Sequence, residues 1–378
     1  MDFALTEEQN AIFEMAHAFG QEHIAPFARA WEAQGTIPKT LWTDLAALGF
    51  GGLYVSEAKG GAGLSRLDAT LVFEALSQSC ASVAAFLSIH NMCAKMIETY
   101  GSEALQAKLL GKALRMEAFL AYCLTEPGSG SDAAALRTKA LATDTGYAMT
   151  GTKAFISGGG YADAYIVMAR TGGDGPGGIS AIVVEDGAAG LSFGAPEDKM
   201  GWRSQPTRQV QMDDCQTPAE NLLGQLGQGF RYAMAGLDGG RLNIAACSIG
   251  AAQAALDQTL AYMKERHAFG QSIDQFQGLQ FRLADMEIAL QSARIFLRQA
   301  AWKLDTGAPD ATAFCAMAKK QATEVGSMVA DGCLQLHGGY GYLADYGIEK
   351  IVRDLRVHQI LEGTNEIMRL ITARHLIT

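Results

Sequence analysis

Five short segments of this chain gather residues that can do chemistry. YCLTEPGSGSD, residues 122–132, reads as a strand running into a turn, where Pro127 removes a backbone donor and Gly128 and Gly130 permit unusual dihedrals. Successive N–H groups and the hydroxyls of Thr125, Ser129 and Ser131 then line one exposed edge. Such an edge can bind a polar heterocycle or phosphate oxygens, and it is equally a plain β-turn of small residues. KAFIS, 153–157, is followed by the glycines 158–160. Phe155 there is either an apolar wall for a flat ring or a core residue. LDGGRLNIA, 237–245, offers Asp238 as a helix N-cap, Gly239 and Gly240 for close approach of a ligand, and Arg241 as a fork for phosphate or carbonyl oxygen. In ERHAFGQSIDQFQGLQF, 265–281, Arg266 is a phosphate candidate, and Phe269 or Phe276 can pack on a base. The bland version is an inter-helix loop with two buried aromatics. LEGTNEIMR, 361–369, places Thr364 or Asn365 as a helix cap, with Ile367, Leu370 and Ile371 on one face. Glu362 sits just outside that helix beside Gly363, as a solvated side chain, a cap or an acid–base group.

These segments sit in three stretches of different texture. Residues 1–118 read helical: Thr6 opens a T-x-x-Q capping box, Pro38 starts a helix that Gly49 closes, and Ala-rich runs follow from Asp68 to Cys80 and from Val83 to Tyr100. Residues 119–223 read as strands, among them AFLAYCL, GYAMTGTKAFIS, AYIVMAR, GISAIVVE and RQVQM, with TGGDGPGG at 171–178 as a loop between two of them. From 224 to 378 the helical pattern returns, broken at Gly270, Gly307 and the HGGYGY segment at 337–342. The class is α+β, mostly α, with a small β domain between two helical ones.

Composition narrows the function. The 378 residues are 49% hydrophobic and 19% charged, with a net charge of −10 that opposes binding to nucleic acid or anionic membrane. No apolar run is long enough to insert in a membrane. The acidic start, MDFALTEEQ, predicts a cytoplasmic protein of bacterial type, or a mature mitochondrial-matrix form without its leader. Seven dispersed cysteines without a C-x-x-C read as free thiols. The one G-x-G-x-x-A, at 339–344, follows a helical run and is a poor dinucleotide fingerprint. There is no Walker A, G-x-S-x-G or H-E-x-x-H, and the pair His358 and Glu362 is too few ligands for a metal.

Taken together and in order, the segments YCLTEPGSGSD, KAFIS, R-x-x-FG at 266–270, QLHGGYGY at 335–342 and LEGTNEIMR resemble the landmarks of the acyl-CoA dehydrogenase family over nearly the whole chain. Within that family KAFISG, GWRSQPTR and VRDLRVHQILEG are most similar to the isobutyryl-CoA branch of valine breakdown. The short-chain, butyryl type comes next, and the Asp at 238, which short-chain relatives share, leans that way. The resemblance implies an N-terminal helical domain, a middle β-barrel-like domain and a C-terminal four-helix bundle, assembled as a homotetramer. It implies FAD between the β domain and the bundle, held by Tyr122, Cys123, Leu124, Thr125, Gly130, Ser131, Phe155, Ile156 and Ser157. Thr364, Asn365 and Glu366 add contacts, and a neighbouring subunit brings Arg266, Phe269, Phe276, Gln277, Gln335, Leu336, His337, Gly338 and Gly339. The acyl-CoA thioester would lie near Ser131, Asp238, Gly239, Gly240, Arg241 and Arg374. Glu362 matches the catalytic base, because Gly240 stands where some relatives carry theirs.

The implied reaction is α,β-dehydrogenation: Glu362 takes the α-proton, its backbone N–H and a flavin ribityl hydroxyl polarise the carbonyl, and a hydride leaves for the flavin. Burial is expected to raise the proton affinity of Glu362 against the opposing dipole of the helix at Thr364. Electron-transfer flavoprotein is the implied electron acceptor. Acyl-CoA oxidases are generally longer, and a non-catalytic flavin-binding paralogue that protects nucleic acid would carry a basic patch.

Overall fold

The computed structural model describes residues 4–377. The chain opens with helices α1 (Glu7–His23), α2 (Ala28–Gln34), α3 (Lys39–Ala47), α4 (Arg66–Ser77) and α5 (Ala81–Tyr100), then the short turns α6 (Glu103–Leu105) and α7 (Gly111–Leu114). Thr6 and Gln9 form the expected capping box on α1, and Ser65 and Asp68 form another on α4. Pro38 is the N-cap of α3, which ends at Ala47 just ahead of Gly49. The sequence gives no strong signal for α2, which has no side-chain cap and starts at the exit of α1.

Eight strands follow: β1 (Leu120–Cys123), β2 (Lys139–Ala142), β3 (Gly146–Ser157), β4 (Ala164–Arg170), β5 (Ile179–Glu185), β6 (Leu191–Phe193), β7 (Thr207–Pro218) and β8 (Leu222–Leu223). They form one sheet in the order β6-β7-β3-β2-β4-β5-β8, with β1 parallel to β4. β4 and β5 are almost wholly buried, in keeping with their continuous apolar sequences. Opposite β7, the long β3 slips register between Lys153 and Ile156, and this bulge turns out Phe155.

The remaining helices are α8 (Gly229–Glu265), α9 (Gln277–Asp305), α10 (Ala311–His337), α11 (Ile348–Arg356) and α12 (Asn365–Ile377). A small hairpin, β9 (His267–Ala268) with β10 (Gln271–Ser272), links α8 to α9. α8, α9 and α10 pack on one another, α12 packs on α10, and α4 and α5 lie against α8. α8 is therefore a shared spine of both helical regions, buried without a break from Gly239 to Ala252. One hydrophobic core runs through all three parts, from Trp42 and Phe86 through Tyr165 to Leu242 and Leu336.

Two expectations are corrected. Asp238 is not an N-cap, because α8 begins nine residues earlier and LDGGRLNIA lies in its interior. On α12 the inward residues are Asn365 and Met368, while Leu370 is largely exposed. The seven cysteines are all free and all buried. Among the described residues no helix is long and apolar enough to cross a membrane.

Candidate active site

The loop between α11 and α12 delivers Glu362. Its backbone is left-handed, with φ 55° at Glu362 and 85° at Gly363, and Thr364 caps α12 through its hydroxyl to the Ile367 N–H at 3.4 Å. The residue as a whole is half-buried, yet its Oε2 is sealed from solvent and has no hydrogen-bond partner among the described residues. That oxygen rests on α8 at Gly240, where a Cβ would come within 2.6 Å of it. At Gly239 a Cβ would come within 2.5 Å of Arg66 Nη1. The double glycine of LDGG thus makes room in a buried helix for two charged groups from elsewhere.

Burial pushes the Glu362 carboxyl up to about 7, against the opposing pull of the Arg241 and Lys319 cations. Arg241 is buried and paired with Asp238 at 2.5 Å, one turn away, and Asp238 accepts a second bond from the Thr312 hydroxyl at 2.7 Å. The Tyr122 hydroxyl is also sealed and unpartnered among the described residues; burial first, then the Glu362 charge, holds its pKa well above the usual phenol value. The carboxylate thus has its Oε2 in a sealed space at Gly240, where it has no hydrogen bond among the described residues and can accept a proton.

YCLTEPGSGSD and KAFIS meet through two of their own charges. Glu126 takes the Arg137 and Thr138 N–H groups at 2.6 and 2.8 Å and the Lys153 ammonium at 2.8 Å; Lys153 also donates to the Leu124 carbonyl at 3.0 Å. The Ala154 N–H bonds to the Thr125 carbonyl at 2.9 Å. Tyr122 and Cys123 lie on β1, with Leu124 and Thr125 just beyond it. Gly130 and Ser131 are exposed in the following turn, whereas Ser129 is buried and donates to the Asp132 carbonyl at 2.5 Å. The expected edge of three hydroxyls is therefore reduced to Thr125 and Ser131, and neither Gly128 nor Gly130 uses a positive φ. At the bulge Phe155 is 69% exposed with φ 57°, so it is not a core residue, while Ile156 points into the core and Ser157 is half-buried.

A second cluster forms at the other end of α8. The Arg266 guanidinium lies over the Tyr340 ring at 5.3 Å, Phe269 meets Phe276 edge-on at 6.2 Å, and Phe269 is 97% exposed. Of the two aromatics of this loop, Phe269 is thus exposed, while Phe276 is half-buried against the core. Gln277, Gln335, Gly338 and Gly339 are exposed, but Leu336 and His337 turn inward, His337 stacking on Tyr262 at 4.3 Å. From Arg241 to the end of α8 the helix rises roughly 36 Å. A single chain therefore keeps its two clusters apart. Asn365 is buried against α10, Glu366 is exposed, and Arg374 is exposed near the end of α12. His358 is committed to Ser248 at 2.7 Å and to Trp202 at 3.2 Å, and no group of side chains among the described residues is arranged to hold a metal.

Sequence reasoning missed Lys319, Tyr54 and Arg66. Lys319 is enclosed beside the Glu362 loop, and Arg66 stacks on the Tyr54 ring at 3.6 Å with its Nη1 sealed. Nothing local in the helical sequence AMAKKQAT separates buried Lys319 from half-exposed Lys320.

Sequence profiles of the acyl-CoA dehydrogenase family match this chain in three consecutive blocks: the N-terminal domain over residues 6–117, the middle domain over 121–215 and the C-terminal domain over 227–377. The chain belongs to the acyl-CoA dehydrogenase family, a family of oxidoreductases whose members are flavoproteins. It is 50% identical to the mitochondrial isobutyryl-CoA dehydrogenase of Bos taurus over 373 residues, which cover 99% of this chain and 90% of that protein. Butyryl-CoA dehydrogenase from Megasphaera elsdenii superimposes with a TM-score of 0.96 at 39% identity, over 100% of both chains. PigA, solved with FAD and proline, does so with a TM-score of 0.96 at 30% identity, over 100% of this chain and 99% of that one.

Proposed function

We propose that the chain oxidises isobutyryl-CoA, a short branched acyl-CoA, to its 2-enoyl-CoA, with Glu362 as the base and FAD as the bound cofactor. The observation that carries this reading is the sealed, unpartnered Oε2 of Glu362 against Gly240, on a carboxyl whose pKa burial brings to about 7. A base works best with a proton affinity near the working pH. A ligand that shuts water out of this space leaves the carboxylate facing the acidic α C–H alone.

The residues present fit a flavin. The exposed Phe155 on its bulge, the half-buried Ser157 and the open space beside Gly130 suit a flat heterocycle next to the sheet. When bound, FAD supplies the acceptor for the β-hydride. The chain's own work is to orient the thioester along Asp238–Arg241, to offer the Glu362 N–H to its carbonyl oxygen and to take the α-proton. Preorganised donors of this kind are worth about 100-fold or more each. The second cluster, with Arg266, Phe269, Phe276 and Gln277, is presented outward and suits the flavin of another subunit, which supports a homotetramer. Electron-transfer flavoprotein is the proposed electron acceptor.

The test is a panel of isobutyryl-, butyryl-, 2-methylbutyryl-, isovaleryl- and octanoyl-CoA with an artificial acceptor. The highest kcat/KM is expected for isobutyryl-CoA. A second reading, a butyryl-type enzyme, is favoured by Asp238, and butyryl-CoA at the top of the panel would establish it. Glu362→Gln is expected to keep the yellow cofactor and bind acyl-CoA while turnover falls by roughly a thousandfold. Near-normal turnover in that variant removes Glu362 as the base.

A further inference from the structure

The loop carrying Glu362 is gripped by one face of α10. Lys319 Nζ donates to the Gly363 carbonyl at 2.8 Å and to Asn365 Oδ1 at 3.0 Å. One turn on, Thr323 Oγ1 donates to that Oδ1 at 3.3 Å and accepts from Asn365 Nδ2 at 3.1 Å. Lys319 is 0% exposed. Enclosing an ammonium costs several kcal/mol of hydration, and both oxygens it reaches here are uncharged.

The charges around it show which one it serves. Facing Glu362 are Arg241 from α8, Tyr122 from β1 and Cys93 from α5; facing Lys319 are Glu362, Arg241, Glu366 from α12, Glu324 from α10 and His358. Arg241 is already paired with Asp238, and burial keeps Tyr122 and Cys93 protonated. Glu324 is paired with Lys320 at 2.7 Å and Arg369 at 2.6 Å, and Glu366 with Arg369 at 3.0 Å. Among the described residues Lys319 is a fully buried cation with no carboxylate within ion-pair distance, and nearby Glu362 is a carboxylate with an unpartnered oxygen. The left-handed backbone at Glu362 adds a strain that persists only if the surroundings fix it, and the bond from Lys319 to the adjoining Gly363 carbonyl helps to do so.

We propose that Lys319 is a positioning residue for the reaction: it pins the Gly363 carbonyl, so directing the Glu362 carboxylate, and its ammonium is the buried counter-charge of that carboxylate. The inference rests on Glu362 being the base. Burial brings Lys319 down to about 7 and the carboxyl up to about 7, and in each case the charge of the other opposes the shift.

The experiment uses the flavin-loaded full chain as parent, Lys319→Met, Lys319→Arg, Glu362→Gln and the Met/Gln double variant. In Lys319→Met the acid limb of the kcat/KM pH profile is expected to move up by about one unit, because a nearby cation no longer favours the anion. The second readout needs no turnover. The rise in unfolding midpoint that Glu362→Gln gives at pH 7, where Lys319 still carries its proton in part, is expected to be larger in the Lys319→Met background than in the parent, since an ionised Glu362 without its counter-charge is the more costly. Lys319→Arg, which keeps the charge, is expected to leave the limb in place and to lower kcat by about 10- to 100-fold through displacement of the loop. An unmoved limb in Lys319→Met with equal midpoint gains in both backgrounds overturns the proposal. If Lys319→Met does not fold, a Lys319→Arg limb displaced upward by a unit overturns it. Retained turnover in Glu362→Gln removes the base assignment, an outcome separate from either of these.

Discussion

A carboxyl held near 7 links chemistry to stability at one residue. As the proposed base, Glu362 would act only when ionised, so kcat/KM for a short acyl-CoA is expected to rise with pH through about 7 and then level. The stability effect has the opposite sign. The folded pKa lies above the ordinary value of 4.5, so the protonated form favours the fold. That contribution is complete below about 4.5 and is lost as pH climbs to about 7. Glu362→Gln, which stays neutral, is therefore expected to match the parent in unfolding midpoint at pH 4.5 and to exceed it at pH 8. Calorimetry at both values checks this, and equal midpoints at pH 8 would mean that the carboxyl is not strained. Glu362 stood out in the sequence through the family resemblance of LEGTNEIMR, since its setting beside a glycine before a helix reads equally as a solvated or capping side chain. Its burial and its neighbour Lys319 did not, because enclosure by α8 and α10 is a property of tertiary packing.

At the scale of elements, the buried pair Glu126–Lys153 fastens the turn after β1 to β3. Removing one member of such a pair leaves the other charged and unpaired, at a cost of about 3–5 kcal/mol. Lys153→Met is expected to lower the denaturant midpoint accordingly, and adding Glu126→Gln should recover part of the loss. Additive losses would mean that the two do not act as a pair. GYAMTGTKAFIS and AYIVMAR coincide with β3 and β4 because β-branched and aromatic residues between glycines and turns leave little choice. The start of α8 was illegible for the converse reason. From Gly239 to Ala252 the helix is buried on all sides and has no polar stripe to mark its phase, and LDGG, placed for packing against Arg66 and Glu362, looks like a helix entrance. The short strands β2 and β6 escaped notice because pairing with β3 and β7 defines them more than their own residues do.

For the whole molecule, α9 carries a second seam. Met286, Leu290, Ala293, Leu297 and Ala300 face inward, while Phe281, Ile288, Ile295 and Trp302 recur every seven residues on the exposed side. Large apolar side chains at that spacing suit a helix of another subunit. Ile288→Glu with Ile295→Glu is expected to lower the mass seen by light scattering and to reduce flavin content, since the outward cluster at Arg266 would lose its neighbour. An unchanged mass would show that the seam is not the interface. The unbroken length of α8 also limits how the chain can vary. Gly240 belongs to one cluster and Arg266 to the other, and only helical backbone lies between them. Deleting a single residue from that span would turn the far end by about 100° and draw it in by about 1.5 Å, swinging Arg266 and its hairpin away from their aim. Surface loops such as the one between β4 and β5 tolerate changes of length, but this rod does not.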